Sequence, residues 1–285
     1  MKNISPLRYP GGKSAMADLL GQIRRLNNFG DRPIAEPFAG GAGASLSLLR
    51  LEEAPEIYIN DADSAIHSFW WALKNRPTEF SALVSGTRVS IAEWRRQRAT
   101  YRSTARVSRL RLGFAAFYLN RCNRSGIIMN GGPIGGIKQA GDWLINARFN
   151  KSELLDRCRK ISEYKDRILV SNSDGIDLIR NLDSSKTFFF IDPPYYSKGK
   201  TLYLNAINDD YHRLLANELK SREEAAWVLT YDDCPEIRRL YRGWTRIRPF
   251  GLRYAASVRR SGREILIVPK RLKLPSSQLS DAIAW

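Results

Sequence analysis

The sequence predicts an α/β protein with a doubly wound, mostly parallel sheet. Apolar runs of strand length alternate with stretches of helical periodicity along most of the 285 residues, as in successive βαβ units. Hydrophobic residues make up 43% of the chain and charged residues 26%, which favours a packed core over disorder. A basic stretch interrupts the alternation. We therefore predict one domain over residues 1–84 and 151–285, with an inserted, mainly helical module over 85–150.

The first half of the sheet is predicted between residues 34 and 61. A strand over 34–38 ends in a glycine-rich turn, and a helix with regularly spaced leucines follows it. The next strand ends in Asp61, and a helix is predicted over about 64–73. A strand, a glycine-rich turn, a helix and a strand that ends in an acid are typical of a nucleotide-binding βαβ half.

The second half of the sheet is predicted after residue 150. Four further strands are expected, over 168–171, 187–191, 226–230 and 264–268, with a helix over 211–219. No helix fits between the strands that lie within 245–268, so these are predicted to form an antiparallel hairpin at one edge. Within the inserted module, the glycine-rich stretch over 126–141 is predicted to be a mobile loop.

The charge balance points to an anionic partner. Lysine and arginine number 46 against 29 aspartates and glutamates, which gives a net charge of +17 and a pI near 10.0. Such an excess has to be solvated or paired, and nucleic acid is the leading candidate. No apolar run approaches the length that spans a membrane.

Cysteine and histidine are sparse. Cys122, Cys158 and Cys234 are far apart with no CxxC spacing, which argues against a disulfide framework and a zinc site. They fit the reduced cytosolic compartment. With only two histidines in the chain, no metal is predicted, and His212 at the start of a helix is interpreted as a surface residue.

The most informative motif is Asp192-Pro193-Pro194-Tyr195, which follows a buried apolar strand. A carboxylate can accept hydrogen bonds from an exocyclic amine. Two prolines fix the backbone and remove two donors, and a tyrosine ring can stack on a planar base. The motif therefore suggests chemistry on a nucleobase amine. The alternative is a strand that simply ends in a proline turn.

A second motif is the glycine-rich turn over 36–43, Glu-Pro-Phe-Ala-Gly-Gly-Ala-Gly. Glycines allow the backbone to lie close to a cofactor, and Asp61 follows at about the 20-residue offset at which an acid can bind ribose hydroxyls. A nicotinamide dehydrogenase would share this geometry, although Leu46 stands where that fingerprint needs a small residue. An ordinary tight turn is the other alternative.

Two further residues are candidates for ligand contacts. Lys13 follows Pro10-Gly11-Gly12, a turn that fails the spacing of an NTP-binding loop. This lysine could face a carboxylate or a phosphate, or the turn could be a plain helix start. Asp174 follows a predicted strand and could bond a cofactor amino group or cap the next helix.

Arginines crowd the inserted module, and Glu93 is the only acid between Arg88 and Arg111. Arginine combines charge with a forked donor set that suits phosphate or guanine. We therefore predict nucleic-acid contact here, and the alternative is a solvated basic face.

Taken together, these motifs resemble the Dam-like family of DNA N6-adenine methyltransferases, in which the cofactor motif precedes target recognition and then the Asp-Pro-Pro-Tyr motif. The likeness covers about residues 5 to 268. Its most specific parts are Tyr9-Pro10-Gly11-Gly12-Lys13, Glu36-Pro37-Phe38-Ala39-Gly40-Gly41, Asn60-Asp61 and Asp192-Pro193-Pro194-Tyr195. The family has a seven-stranded, Rossmann-like methyltransferase sheet. The likeness therefore implies that residues 1–84 and 151–285 are the catalytic domain and 85–150 a DNA-recognition module.

The resemblance also implies S-adenosylmethionine as methyl donor, double-stranded DNA as substrate and a flipped-out adenine as acceptor. Tyr195 would stack on the base, and Asp192 with the Pro193 carbonyl would accept the N6 hydrogens. The implied cofactor contacts are Tyr9, Lys13, Phe38, Gly40, Asp61, Asp174 and Asp192. The implied DNA contacts are Arg95, Arg96, Arg98, Arg102, Arg121, Asn123 and Arg124. An RNA or cytosine-N4 methyltransferase and a non-catalytic DNA-binding protein stay open as alternatives, as does a restriction-enzyme partner.

Overall fold

The computed structural model describes residues 4–9, 13–103, 107–196, 208–250 and 264–276. Its strands are β1 (Ile34–Glu36), β2 (Ile57–Asn60), β3 (Ile168–Ser171), β4 (Phe188–Ile191), β5 (Ala226–Asp232), β6 (Thr245–Phe250) and β7 (Glu264–Pro269). They form one seven-stranded sheet in the order β3-β2-β1-β4-β5-β7-β6.

Helices flank the sheet and connect its strands. They are α1 (Ala17–Leu26), α2 (Gly43–Arg50), α3 (Ser64–Asn75), α4 (Pro77–Gly86), α5 (Ile91–Arg102), α6 (Arg109–Cys122), α7 (Lys151–Ser162), α8 (Gly175–Asn181), α9 (Asp209–Ser221) and α10 (Pro235–Tyr241). A 3₁₀ turn, Lys13–Met16, precedes α1. No helix in the described ranges is long and apolar enough to cross a membrane.

The topology confirms the predicted doubly wound, mostly parallel sheet. β1 pairs in parallel with both β2 and β4, and β4 pairs in parallel with β5. From β1 the chain adds β2 and then β3 towards one edge of the sheet. It then returns to the other side of β1 and adds β4 and β5 towards the opposite edge. β7 is antiparallel to β5 and β6, which confirms the predicted edge hairpin. The point where the winding reverses lies between β1 and β4.

The central strand β4 shows why the sheet is buried on both faces. All four of its residues are at most 1% exposed, as expected for a parallel strand covered by helices on each side. Successive side chains of a strand point to opposite faces. Phe188 and Phe190 accordingly pack in one hydrophobic cluster, whereas Phe189 and Ile191 pack in the other.

In the stretch 85–150 the structure describes helices α5 and α6, and buried residues of this stretch share the core of the sheet domain. On α6, Phe117 stacks on Phe69 of α3, with ring centroids 5.9 Å apart and planes inclined by 5°. Phe80 of α4 contacts both rings edge-on. The separate role of this stretch as a recognition module stays a prediction.

The glycine-rich segment predicted to be a mobile loop is a series of turns held by side chains. The Gln139 amide nitrogen donates to the carbonyls of Ile134 and Gly136, at 2.8 and 2.6 Å. Its amide oxygen accepts from the Ile145 backbone nitrogen at 2.9 Å. The side-chain amide of Gln139 therefore supplies hydrogen bonds that backbone groups supply in regular secondary structure.

Helices α3 and α6 approach so closely that Gly113 is required at their contact. A Cβ on Gly113 would lie 2.4 Å from the Ser68 carbonyl oxygen and 2.6 Å from the Phe69 nitrogen. We expect Gly113→Ala to lower the free energy of unfolding by about 1–3 kcal/mol, because overpacking forces two backbones apart. Chemical denaturation followed by circular dichroism measures this difference.

The matched control is Gly86→Ala at the end of α4, where an added Cβ meets nothing within 4 Å. That variant should be unchanged or more stable by up to about 1 kcal/mol, since alanine favours helix. Equal effects of the two substitutions would contradict the close approach of α3 and α6.

Candidate active site

The predicted site residues gather where the carboxyl ends of β1, β2 and β4 meet. Phe38 and Gly40 follow β1, Asp61 follows β2, and Asp192 follows β4. β1 and β4 are parallel neighbours, and the chain continues from them towards opposite edges of the sheet. A crevice therefore opens between the loops that follow them, which is where doubly wound sheets bind their ligands. The sheet therefore brings together motifs that lie more than 150 residues apart in the chain.

The Asp192 carboxylate is held from two sides and still faces solvent. The Thr230 hydroxyl on β5 donates to its Oδ1 at 2.5 Å. The Lys13 ammonium lies 3.2 Å from its Oδ2, and the Asp192 side chain is 24% exposed. A carboxylate oxygen can accept more than one hydrogen bond, so this group is fixed in place and retains acceptor capacity.

Lys13 is the cation at the centre of the site. Its ammonium donates to the Tyr195 hydroxyl at 2.7 Å and lies 3.5 Å from Oε2 of Glu264. The Lys13 residue is 6% exposed and Glu264 is 3% exposed. Of the alternatives considered for Lys13, the structure shows both a helix start and a contact with carboxylates. Pro10, Gly11 and Gly12 of the same motif lie outside the described residues.

Glu36, at the end of β1, adds a third carboxyl to this region. Its Oε1 accepts a hydrogen bond from the Ser45 nitrogen at 2.7 Å, and the residue is 4% exposed. The pKa of the Glu36 carboxyl is raised to about 7, chiefly by burial and in smaller part by the charge of Asp192, while Ser45 and Lys13 act in the opposite direction.

The glycine-rich turn wraps around the Asp61 carboxylate. Asp61 Oδ2 accepts from the Gly40 nitrogen at 2.9 Å, and Oδ1 accepts from the Asp63 nitrogen at 2.9 Å. Burial, with a contribution from Asp63, raises the pKa of Asp61 to about 7. Gly40 has a φ of +46°, and a Cβ there would lie 2.7 Å from the Tyr9 ring. The turn thus requires glycine and lies directly against Tyr9.

Phe38 and Asp174 lie beyond the carboxyl ends of β1 and β3. A Cβ on Gly175 would lie 2.4 Å from the Phe38 ring, so the first residue of α8 must be small. Asp174 Oδ1 caps α8 by accepting from the Ile176 nitrogen at 2.8 Å, and its Oδ2 accepts from the Tyr211 hydroxyl at 2.8 Å. The helix-cap interpretation is confirmed, and a bond from Asp174 to a cofactor amino group stays a prediction.

Two residues predicted to contact DNA have internal roles instead. The Arg121 guanidinium donates to the carbonyls of Arg148 and Pro6, at 2.8 and 3.4 Å, and Arg121 is 8% exposed. Asn123 is fully buried, and its Oδ1 accepts from the Trp94 indole nitrogen at 2.6 Å. Burial leaves these side chains no surface for DNA, so their predicted contact is corrected to a scaffolding role.

The remaining predicted DNA contacts lie at or near the surface. Arg95, Arg96, Arg102 and Arg124 are exposed. Arg98 is partly buried, and its guanidinium lies over the Trp94 ring, 5.0 Å from the centroid. A charged surface of this kind can contact phosphates, and DNA contact by these five residues stays a prediction.

The interpretation of His212 as a surface residue is wrong. His212 is 2% exposed, and its Nδ1 lies 2.7 Å from the Tyr231 hydroxyl. The apolar face of α9 turns inward onto β5, and His212 lies on that face with Leu215 and Leu219. Burial lowers the pKa of the imidazole.

Sequence reasoning did not assign roles to Thr230, Glu264 or the Glu36 side chain. The side chains of Thr230 and Glu264 reach the motif residues because β5 pairs with β4 and β7 pairs with β5. Residue spacing does not show these pairings. One signal was present: an antiparallel β7 must begin at the same edge where β4 and β5 end.

The seven-stranded sheet, with β7 antiparallel between β5 and β6, places the motif residues at the β1–β4 reversal. The sequence matches the family model of D12 class N6 adenine-specific DNA methyltransferases over residues 9–254. The chain therefore belongs to this family, and it methylates adenine N6 in DNA with S-adenosylmethionine as methyl donor.

Among solved structures, the chain is similar to the rRNA methyltransferase aviRa from Streptomyces viridochromogenes. The two share 12% sequence identity with a TM-score of 0.36, over 94% of this chain and 90% of that chain. No curated protein matches the sequence.

The residues at the crevice fit S-adenosylmethionine. Gly40 lets the turn lie directly against the Tyr9 ring, where a Cβ would approach to 2.7 Å. Asp61 supplies carboxylate oxygens of the kind that accept bonds from ribose hydroxyls. Phe38 supplies an aromatic surface for a purine ring.

The raised pKa of Glu36 predicts a pH-dependent stability. The folded-state pKa is about 7 against an ordinary 4.5, so the folded protein keeps a proton that the unfolded chain releases between these values. The free energy of unfolding should therefore fall as pH rises through this window, with a Glu36 contribution on the order of 3 kcal/mol. Glu36→Gln keeps the acceptor for Ser45 and should flatten this fall.

Urea denaturation at pH 4.5, 6 and 8 measures the effect, and these pH values are about the ordinary pKa, between the two pKa values, and above both. The comparison is between wild type and Glu36→Gln at each pH, so the contribution of Asp61 cancels. Parallel curves for the two proteins would show that Glu36 ionises normally in the folded state.

Proposed function

We propose that Asp192, Pro193, Pro194 and Tyr195 present the amino group of a flipped-out adenine to the methyl donor. The observation that carries this assignment is the position of the Asp192 carboxylate, which Thr230 and Lys13 hold at the mouth of the glycine-lined crevice. A base inside a duplex cannot reach such a crevice, so the target nucleotide has to leave the stack, at a cost of a few kcal/mol.

Asp192 has to make the lone pair of the adenine N6 amine, a poor nucleophile, available for bonding to the methyl group. The N6 lone pair is delocalised into the adenine ring, and hydrogen-bond acceptors on both N6 hydrogens favour its localisation. Asp192 and the main-chain carbonyl of Pro193 would supply these acceptors. Bound S-adenosylmethionine supplies a methyl group on a sulfonium centre. The N–C bond would form as the S–C bond breaks and its electron pair stays on the sulfur, and one N6 proton has to leave, which the Asp192 carboxylate can accept.

Tyr195 is proposed to stack on the extruded base. Its hydroxyl is fixed by the Lys13 ammonium at 2.7 Å, and its ring lies 6.5 Å from the ring of Tyr231. A ring held at its hydroxyl and supported at one side loses little entropy when a base stacks on it. Positioning of this kind can supply about 7–11 kcal/mol of barrier reduction.

The cofactor contacts are proposed for the residues around the glycine-rich turn. Asp61 would bind the ribose hydroxyls, Gly40 and Tyr9 would line the chain of the donor, and Phe38 would contact its purine. Asp174 would lie near the purine amino group. Support for these roles is the shared position of these side chains beyond β1, β2 and β3.

The basic stretch 85–150 is proposed to be the DNA-recognition module, and double-stranded DNA its ligand. Support comes from the net charge of +17 and from exposed arginines on α5 and after α6. Phosphate contacts of this type supply most of the affinity and little of the sequence specificity.

We further propose a cytoplasmic location and a cognate restriction enzyme as partner. The three cysteines are buried and unbridged, which suits a reducing compartment. Methylated adenine would protect a recognition site from cleavage, which is the basis for proposing the partner.

Replacement of Asp192 tests the catalytic assignment. Asp192→Asn keeps the shape of the side chain but replaces an acceptor oxygen with a donor. We expect the methylation rate to fall by at least about a hundred-fold, since an oriented polar contact in the transition state is lost. DNA affinity should change little, because arginine–phosphate contacts dominate it.

Incorporation of labelled methyl groups measures the rate, and nucleoside digestion identifies the product as N6-methyladenine, N4-methylcytosine or a methylated ribonucleoside. Asp177→Asn is the control, since Asp177 lies on the surface in a pair with Arg180. Substantial turnover by Asp192→Asn would refute the role of the carboxylate.

The arginine assignment makes a separate prediction about salt. Arg95→Ala combined with Arg102→Ala should weaken binding of all duplex sequences alike and reduce the slope of log affinity against log salt by about 2, one unit per lost phosphate contact. Fluorescence anisotropy with a labelled duplex at several salt concentrations measures the slope.

The control removes two exposed arginines outside the module, Arg159 and Arg213, which pair with nearby acids. An equal change of slope in this control would mean that the loss reflects net charge rather than contact by the module.

A further inference from the structure

The carboxylate of Glu264 reaches the active site because of the direction of β7. Glu264 is the first residue of that strand, and it lies opposite Asp232 of β5 and Phe250 of β6 in the register. Since β7 runs antiparallel to β5, its beginning lies at the edge where β4 and β5 end. A residue 72 positions after Asp192 therefore shares a cation with it.

The position of Glu264 is costly for the fold. The four residues that follow it, Ile265 to Val268, are fully buried and apolar, and Glu264 itself is 3% exposed. Burial of a carboxylate is strongly unfavourable unless it is paired, and a buried ion pair seldom stabilises a protein more than apolar side chains of similar size would. Stability alone is thus a poor explanation for a glutamate at the start of this strand.

The geometry shows what Glu264 does to the cation. The Lys13 ammonium lies 3.2 Å from Asp192 Oδ2 and 3.5 Å from Glu264 Oε2, so it is shared between two carboxylates instead of being committed to one. The same ammonium donates to the Tyr195 hydroxyl at 2.7 Å. Its position thus affects both the proposed amine acceptor and the proposed stacking ring.

We propose that Glu264 is a positioning residue for methyl transfer: it draws part of the Lys13 charge away from Asp192, so that the Asp192 carboxylate stays a strong acceptor for the adenine amine. This inference rests on the proposed role of Asp192. Without Glu264, the pairing of Lys13 with Asp192 would strengthen, and the ammonium would move towards Asp192 and occupy a lone pair that the N6 hydrogen needs. The Tyr195 hydroxyl would lose its fixed donor in the same movement.

The first test is Glu264→Gln in the full-length chain, with S-adenosylmethionine and a methylatable duplex in single-turnover conditions. We expect the methyl-transfer rate to fall by roughly ten- to a hundred-fold, since a shift of about 1 Å in an active-site group can cost that much. The dissociation constants for the duplex and for S-adenosylmethionine should stay within about twofold, because the arginine–phosphate contacts and the cofactor contacts proposed around the glycine-rich turn do not involve Glu264. A wild-type rate in this variant would overturn the inference.

Two further variants separate charge from packing. Glu264→Asp keeps the charge on a shorter side chain and should be faster than Glu264→Gln, although glutamine is the closer match in shape. Glu264→Met replaces the carboxylate with an apolar chain of similar length, which buried sites often tolerate. It should fold even if the glutamine variant does not, and it should be slow. Aspartate and glutamine variants of equal rate, or a fast methionine variant, would contradict the proposal.

The matched control is Glu218→Gln on α9. The Glu218 side chain is 13% exposed and pairs with Arg180 and Arg222 at 2.8 and 2.6 Å, so this variant also removes a carboxylate from a partly buried pair. Its methylation rate should equal that of wild type. A failure of the proposed role of Asp192 is recognised separately, since Asp192→Asn would then keep substantial turnover, whatever the Glu264 variants do.

Discussion

One buried ammonium group joins distant parts of this chain into a working site. Lys13 begins the first helical turn, yet its Nζ contacts Asp192 after β4, Tyr195 three residues later and Glu264 at the start of β7. A lysine that is 6% exposed loses most of its hydration, and the carboxylates beside it offset part of that loss. The positions of the acids and of the tyrosine ring consequently depend on one another.

The segment that leads to Lys13 is itself held by the helical module. The Asn120 side chain bonds both the nitrogen and the carbonyl of Arg8, at 2.6 and 2.7 Å, and Arg121 donates to Pro6. Tyr9 then lies against Gly40. Asn120 and Arg121 of α6 thus hold the segment that ends at Tyr9, and the surface of the module carries the exposed arginines.

The sequence was sufficient for features that depend on local pattern. Apolar runs gave the strands, and the glycine-rich turn, Asp61 and Asp192 are each placed by the strand that precedes them, since the ends of parallel strands share an edge. Features that depend on long-range direction were not accessible. From sequence alone, a polar side chain such as Asn123 or His212 is interpreted as exposed, because its hydrogen-bond partner is not known. The partner of each of these two residues lies on another element. Glu264 required knowledge of which way β7 runs.

The order of synthesis gives the start of β7 a further significance. A ribosome releases the Lys13 segment, the module and β4 well before it reaches residue 264, and chains fold as they emerge. Until residue 264 has been synthesised, the chain therefore lacks one of the two carboxylates that Lys13 contacts in the complete fold. A prematurely terminated chain could contain every motif of the family and still lack the balanced charge on which its acceptor depends.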